Sequence, residues 1–536
     1  MIRTRTLLPA VLLVAAASGC GWCDRGEPKG GAADVWRFLP KSAELAVVVP
    51  DLGVVGDRIQ QLQRLKLASF VAQLQGFAGA DAFADALIRQ IGVDVRSREA
   101  LRNAGLAPDR ALGVAVLGEG AAFAVVPVSD AKAFRQTLGR IARDRLGAPA
   151  AAETAMGPER TGVTFSRPGG PAELGYVLVN GFALVAAGAQ VAKLGERAAL
   201  PEEQSLAKDA QLESSLARLP KERDAVLHRP AGRMQGSAPP LVRGTAVLRL
   251  EPSALRAWVD VPWRDSEATL NAFEKKQAED LSSRLPRDAF FVARFNGDLA
   301  QLQPLWSQLG GDRLQRAFQE AKIDVQQDVL ASFHPGMVAS LSVSPSIPLG
   351  SGMPELDVRR TNPFRYVHFV ALARGKDRAR IAALLARLPE VAPRFGARVE
   401  PMTRDGQTFF ITRYAQGEGV HFAQARDDRL VLASPLARLE RAVLNPGDGG
   451  SAPILSDAEI GRGLSEHAAG AVLDLDQLRA SVKALPQDAW GIGGFAIKAS
   501  AVRWLEATDD LRAITAGLSR REKALQAEIA LRFTPK

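Results

Sequence analysis

Apolar residues along the chain come in short runs broken by turn formers. Leu45-Ala-Val-Val-Val49 is one such run, with the composition of a strand. Residues 111–116 and 123–128 flank Gly118-Glu119-Gly120, and residues 174–179 and 182–187 flank Asn180-Gly181. Each pair predicts a hairpin, and Asn-Gly suits the tight turn because both central positions need φ > 0. Leu248-Arg-Leu250 and residues 255–261, turning at Pro252-Ser253, read as a third hairpin. Between hairpins the spacing changes to three and four. Phe134, Leu138, Ile141 and Ala142 predict a helix over 131–146 behind a Ser129/Asp130 cap, and 97–104 reads as a short helix closed by Gly105. The pattern predicts an α+β fold: hairpins forming an antiparallel or mixed sheet, with packing helices on one face.

The pattern also recurs. Leu39-Pro40-Lys41-Ser42-Ala43 returns 246 residues later as Leu285-Pro286-Arg287-Asp288-Ala289, each ahead of an apolar run. Asp51-Leu52 pairs with Asp298-Leu299, and Asp130, Phe134 and Leu138 with Asp377, Ile381 and Leu385, all at 247. Phe123-Ala-Val-Val126 pairs with Phe369-Val-Ala-Leu372 at 246, Leu184-Val185-Ala186 with Val431-Leu432-Ala433 at 247, and 248–250 with Phe495-Ala-Ile497 at 247. Independent insertions would scramble so constant a spacing, so the body is read as two tandem copies of one domain, copy A over 36–283 and copy B over 284–536. Gly92-Val-Asp-Val95 matches Lys322-Ile-Asp-Val325 at only 230. Copy B is therefore shorter around 54–91 and regains the length in the Pro/Gly-rich stretch 344–363, which with 229–244 makes the best candidate for a mobile loop. The opening, Leu-Pro-x-x-Ala before an apolar strand, resembles that of uncharacterised bacterial envelope proteins, a resemblance that implies no activity.

Composition narrows the class. The 536 residues are 47% hydrophobic and 24% charged, values of a folded chain rather than a disordered, collagenous or polytopic membrane one. Length alone suggests three or four domains, or two large ones. The net charge of +9, or +7 without Arg3 and Arg5, is a weak field over such a length. Both cysteines lie in the first 23 residues, so the body holds neither a disulfide nor a thiolate metal site.

The N-terminus gives the most specific signal. Arg3 and Arg5 precede an apolar run from Leu7 to Ala17, then Ser18-Gly19-Cys20. Eleven apolar residues are too few to span a ~30 Å hydrocarbon layer. Small residues directly before a cysteine resemble the lipobox of bacterial lipoproteins, with Ala17 where that family most often has Leu. The resemblance implies a signal peptide over 1–19, cleavage before Cys20, and acylation of Cys20, which would hold the chain on a membrane. Gly21 after the cysteine points to the outer membrane rather than the inner. Residues 20–35, rich in Gly and Pro from Asp24 on, then form a flexible tether of ~17–20 Å. Cys20-Gly21-Trp22-Cys23 has redox-motif spacing, but an acylated Cys20 with no preceding strand cannot serve a dithiol cycle.

No catalytic signature appears: no phosphate loop, no nucleophile elbow, no zincin helix. Gly491-Ile-Gly-Gly494 reads as a turn. The histidines, at 228, 334, 368, 421 and 467, lie more than four residues apart and offer no metal-ligand pair. His368 and His421 fall in predicted strands bordering the copy B loop, where a paired site is conceivable against the plainer reading of core histidines. Asp94 and Asp324 recur in both copies and read as caps or turn formers, with a shared site as the alternative. Asp474 and Asp476 would point the same way from a strand. Basic runs such as Arg520-Arg521-Glu522-Lys523 read as solvated helix faces, and export removes nucleic acid as a partner.

The function these observations favour is that of a non-catalytic, lipid-anchored envelope protein that binds a partner or acts as a scaffold. It would sit periplasm-facing, or on the cell surface. Its membrane contact is acylated Cys20, its other partner an unidentified envelope protein or ligand, and no cofactor or metal is expected. Two alternatives stay open: an enzyme whose site assembles between the copies, and a hydrophobic-ligand or lipid-binding protein.

Overall fold

The structure, a computed structural model, describes residues 31–118, 121–157, 160–230, 244–263, 267–302, 312–344, 366–414, 417–444, 452–490 and 494–534. The expected signal peptide, Cys20, Cys23 and most of the tether lie outside the described residues, as do the hairpin tip 119–120, the loops 231–243 and 345–363, and 491–493. The chain divides into two compact units, Met1–Pro262 and Trp263–Lys536.

In chain order the first unit holds α1 (Ala32–Trp36), β1 (Leu45–Val49), α2 (Leu52–Gln63), α3 (Lys66–Leu74), α4 (Ala80–Ile91), α5 (Arg98–Asn103), β2 (Leu112–Gly118) and β3 (Ala121–Pro127). After α6 (Ala131–Leu146) comes a meander of β4 (Ala150–Ala155), β5 (Thr161–Ser166), β6 (Ala172–Val179) and β7 (Phe182–Ala187). The unit closes with α7 (Leu194–Ala198), α8 (Ala210–Arg218), β8 (Ala225–Arg229), β9 (Gly244–Leu250) and β10 (Ala254–Pro262). Every strand pairing is antiparallel, and the spatial order is β4-β5-β6-β7-β3-β2-β1-β8-β9-β10.

β1 explains why helices cover both faces rather than the single face expected from the pattern. A strand alternates its side chains across the sheet, and here both sides are apolar. Val47 and Val49 join a core with α2, α4, α5 and α6, while Ala46 and Val48 join a second core with α1, α7 and α8. α1 buries Val35 and Trp36, so residues 32–35, assigned from sequence to the tether, belong to the packed body.

The local signals act as the sequence implies. Asn180 (φ 52°) and Gly181 (φ 77°) turn β6 into β7. Asp130 caps α6 by accepting the N–H groups of Lys132 and Ala133, and Ser97 caps α5 through Ala100 N. Gly105 ends α5 with φ 83°, and a Cβ there would lie 2.3 Å from Phe134 N and 2.4 Å from Asp130 O.

The second unit holds α9 (Glu267–Ala272), β11 (Ala289–Phe295), α10 (Asp312–Glu320), β12 (Met337–Val343), β13 (Val367–Arg374), α11 (Arg378–Ala386) and α12 (Leu388–Val391). Next come β14 (Ala397–Arg404), β15 (Gln407–Tyr414), β16 (Gly417–Glu418), β17 (His421–Gln424), β18 (Arg429–Ser434), α13 (Leu436–Leu444) and α14 (Ala458–Glu466). Last are β19 (Ala469–Asp474), α15 (Leu475–Ala484), α16 (Gly494–Glu506), β20 (Leu511–Arg521) and β21 (Ala524–Phe533). Its antiparallel order is β14-β15-β17-β18-β13-β12-β11-β19-β20-β21, with β16 beside β15. The segment 263–283, read from sequence as the end of copy A, packs in this unit: Arg520 bonds Asn271, and Lys276 N donates to Asn296 O. Phe495-Ala-Ile497, matched from sequence to a strand, is helical instead and lies in α16. A three-residue apolar run is too short for its periodicity to separate the two structures.

Replacing Gly105 by Ala should cost about 3 kcal/mol or more, because strain at positive φ adds to the clash with the α6 backbone. Urea unfolding would read the loss, and an unchanged midpoint would contradict the packing described.

Candidate functional site

Where the two apolar layers of the first unit meet, they do not fill the space between them. A cavity of about 250 Å³ lies between the sheet and the helices on the α6 side. Its floor is Val47 and Val49 of β1, Leu112 and Val114 of β2, Ala124 and Val126 of β3, and Val185 of β7. Its roof is Leu101 and Ala104 of α5 and Phe134, Thr137, Leu138 and Ile141 of α6. Ile91, Val93 and Val95, at and just after the end of α4, close one side.

One small residue explains the space. In the register Ala124 stands opposite Val114 on one neighbour and Val185 on the other, so an alanine sits between two valines on the same face. Gly113, one residue along β2, points to the other face, where Val35 packs against it. Thr137 is the only polar side chain among the described lining residues. A wall so apolar favours apolar contents and offers no acid or base among its described lining residues; an engineered apolar cavity of ~150 Å³ binds benzene. The volume lies below the ~300–1,000 Å³ of pockets that enclose a whole small molecule, so it fits a chain end rather than a complete lipid. At the rim, where Ile91, Val93 and Ile141 are half-buried, Arg140 donates to Gly92 O at 3.1 Å and pins the connection after α4.

The residues singled out from sequence are engaged elsewhere. Asp94 accepts from Arg96 N at 3.0 Å and from its guanidinium at 3.1 Å, and that ion pair holds its carboxyl below the usual range. Asp324 accepts from Gln327 N at 3.0 Å, at the start of the turn 325–329. A groove of about 510 Å³ runs beside Asp324, lined by Gln315, Gln319, Lys322 and Gln326 and by the apolar Ile323, Val325 and Leu330. No Ser, Thr, Cys or His stands among its described lining residues beside Lys322 and Asp324. Asp474 and Asp476 do not project together from a strand. Asp474 ends β19 and caps α15 through Gln477 N, and Asp476 lies within α15, bonded to Arg479 at 2.6 Å.

The histidines are likewise dispersed. His368 and His421 are buried on β13 and β17, separated by β18. His368 Nδ1 accepts from Arg438 Nε at 3.1 Å, Arg438 also grips Asp288, and His421 Nδ1 accepts from Thr412 N at 3.0 Å. His334 is exposed, and His467 lies 3.6 Å from Glu528. Among the described residues no three His, Cys, Asp or Glu side chains gather in a metal-ligating cluster.

Pattern reading missed the buried polar groups on the opposite face of the first unit. His228, Thr245 and Asp260 stand side by side on β8, β9 and β10. His228 Nδ1 meets Thr245 Oγ1 at 2.9 Å, and Asp260 takes Ser215 Oγ at 2.7 Å and a two-point bond from Arg218. Burial pushes His228 down to about 4, keeping it neutral. Asp224, just before β8, accepts from Leu250 N at 2.7 Å, and burial pushes its carboxyl up to about 7 despite Arg58 and Arg249 nearby. Comparison of the chain with protein-family models, curated proteins and solved structures finds no match.

Asp224 holds its proton in the folded state up to about pH 7, against 3.8 for the free group, so it lowers stability progressively as pH rises through that window. Asp224→Asn should therefore stabilise by roughly 1–3 kcal/mol at pH 8 and by little at pH 4, where the native carboxyl is already neutral. Denaturation midpoints at the two pH values measure the difference; an equal effect at both would remove the titration as its cause.

Proposed function

We propose that this chain is a lipid-anchored protein of the bacterial envelope, held by acylated Cys20, and that it works by binding rather than catalysis. The ligand of its first unit is an acyl chain or similar apolar molecule. The observation that carries the reading is the apolar cavity of about 250 Å³, with its gap at Ala124 and the half-buried rim at Ile91, Val93 and Ile141. Arg140 at the rim suits an anionic head group such as a fatty-acid carboxylate. The engaged states of Asp94 and Asp324 argue against the enzyme alternative.

The body is read as two tandem copies of one domain. In support, the strand order of the first unit maps one for one onto that of the second, β1 onto β11 through β7 onto β18 and then β8, β9 and β10 onto β19, β20 and β21. The shorter helical segment expected in copy B also fits. β2 and β12 begin 225 residues apart, whereas β1 and β11 begin 244 apart and β3 and β13 begin 246 apart. The anchor rests on the lipobox resemblance of 17–20, and among the described residues no helix is long and apolar enough to cross a membrane. The orientation proposed is periplasm-facing on the outer membrane, or on the cell surface.

Two measurements test this. Cys20→Ser should release the protein from the membrane fraction of its host, and retention without the cysteine would overturn the anchor. Ala124→Leu should fill the cavity, raise the thermal midpoint and abolish binding of a long-chain fatty acid followed by native mass spectrometry. Fatty-acid binding that survives the substitution would place the ligand elsewhere.

A further inference from the structure

The outermost strand of the first unit leaves its edge open. Among the described strands β4 pairs with β5 alone, and all six of its residues are exposed. The ladder continues into the turn, where Met156 N donates to Arg160 O at 2.8 Å. Bonded and unbonded positions alternate along an antiparallel pair. Residues 150, 152 and 154 therefore bond β5, while Ala151, Glu153 and Ala155 turn their N–H and C=O groups outward. Sheets usually blunt such an edge with proline or charge. β14, at the matching end of the order in the second unit, does so. Pro401 has no N–H, so it faces β15 at an unbonded position and its missing donor is an outward one. Arg398, Glu400 and Arg404 stand exposed along the same strand. β4 reads Ala150-Ala-Ala-Glu-Thr-Ala155, with no proline or basic residue, and its one charge is met by Arg135 of α6 at 2.9 Å.

Beside this edge lies a groove of about 450 Å³. Thr154 of β4 and Thr164 of β5 line it, their hydroxyls 3.0 Å apart, and Val191, Gly195 and Glu196 line it on the α7 side. Glu196 is the one charged residue among the described lining residues. Side chains alternate across a strand, so a strand added along β4 would set every second side chain on the Thr154 face, over the groove. Two features decide what that strand is. The edge offers backbone donors and acceptors at every second residue, the spacing of an extended polypeptide. Glu196 selects a basic side chain. A second copy of β4 fits poorly. Full-length self-pairing must centre on Glu153, the middle one of the outward residues, and would set two glutamates directly opposite each other.

We propose that β4 is a strand-addition site for an extended segment of a partner protein. The outward backbone groups of Ala151, Glu153 and Ala155 hold the segment, and one of its lysines or arginines lies over the groove at Glu196. In this mode main-chain hydrogen bonds supply the affinity, and alternate side chains supply the choice of partner. The site shares no described residue with the apolar cavity, and it needs neither the acyl anchor nor the apolar ligand proposed above.

The test uses the full chain carrying Cys20→Ser, so that no acyl chain contributes, and a fluorescent octapeptide of alternating lysine and valine, followed by anisotropy. The peptide should bind saturably. Its fully N-methylated form keeps the charge but has no backbone donor, and should bind at least about tenfold more weakly. Ala151→Pro gives β4 the guard that β14 carries and should weaken binding about tenfold. Glu196→Lys should weaken it about fivefold, and should strengthen binding of a peptide of alternating glutamate and valine by a similar factor. The Ala151 N–H faces away from β5, so circular dichroism and the thermal midpoint should stay unchanged. Glu196 is exposed on α7, and its variant reads the same site without touching the strand. Absence of saturable binding of the lysine peptide at millimolar concentration overturns the proposal, as does equal binding of its N-methylated form or equal binding by the Ala151→Pro chain. Dimerisation in sedimentation equilibrium that Ala151→Pro abolishes would assign the edge to a second copy, and would equally overturn it.

Discussion

A strand buried on both faces sets the plan of the first unit. β1 lies between β2 and β8, and its alternate residues feed two different cores. A polar side chain on such a strand needs a partner within the core, and β1 carries no such side chain, so both faces of the sheet must be covered. In the second unit β11, between β12 and β19, has the same position, with Val292 buried. The helices pack where this demand places them, and the cavity lies on the side where the covering is least complete.

The two faces of the first unit differ in chemistry. Toward α6 the floor is aliphatic, and Thr137 is the one polar side chain among the described residues lining the space above it. Toward α8 the face carries His228, Thr245 and Asp260 in a row, with Asp260 held by Ser215 and Arg218. A buried ion pair of this kind stabilises little in net terms, because desolvation offsets most of the attraction, but it penalises any register in which the partners miss each other. One face thus holds the alignment of the sheet, and the other leaves an apolar space.

What could be read from the sequence was whatever depends on neighbours in the chain. The Asn180-Gly181 turn, the Asp130 cap, the bounds of α6 and the Gly105 stop follow from residues within one or two turns of each other, and each is found in place. Asp474 failed the strand reading because the same carboxylate both ends a strand and caps the next helix, and periodicity cannot see that switch. The single-face covering failed because Ala46 and Val48 show as buried only once α1 and α8 are placed. The cavity was invisible for a related reason: Ala124 is an unremarked alanine until the register sets it between Val114 and Val185, residues 10 and 61 positions away.

The central strand pairing also governs the order in which each unit can be completed. Val47 meets Leu227, and in the second unit Val292 meets Val472, each pair 180 residues apart. As the polypeptide is made, β1 can find β2 early, but its other edge stays unsatisfied until nearly the whole unit has emerged. Closure over so long a loop is slow, so a nascent chain of this design exposes a flat aliphatic ribbon for much of its birth. Shielding of that ribbon until β8 is available is the demand this topology places on the cell that makes it.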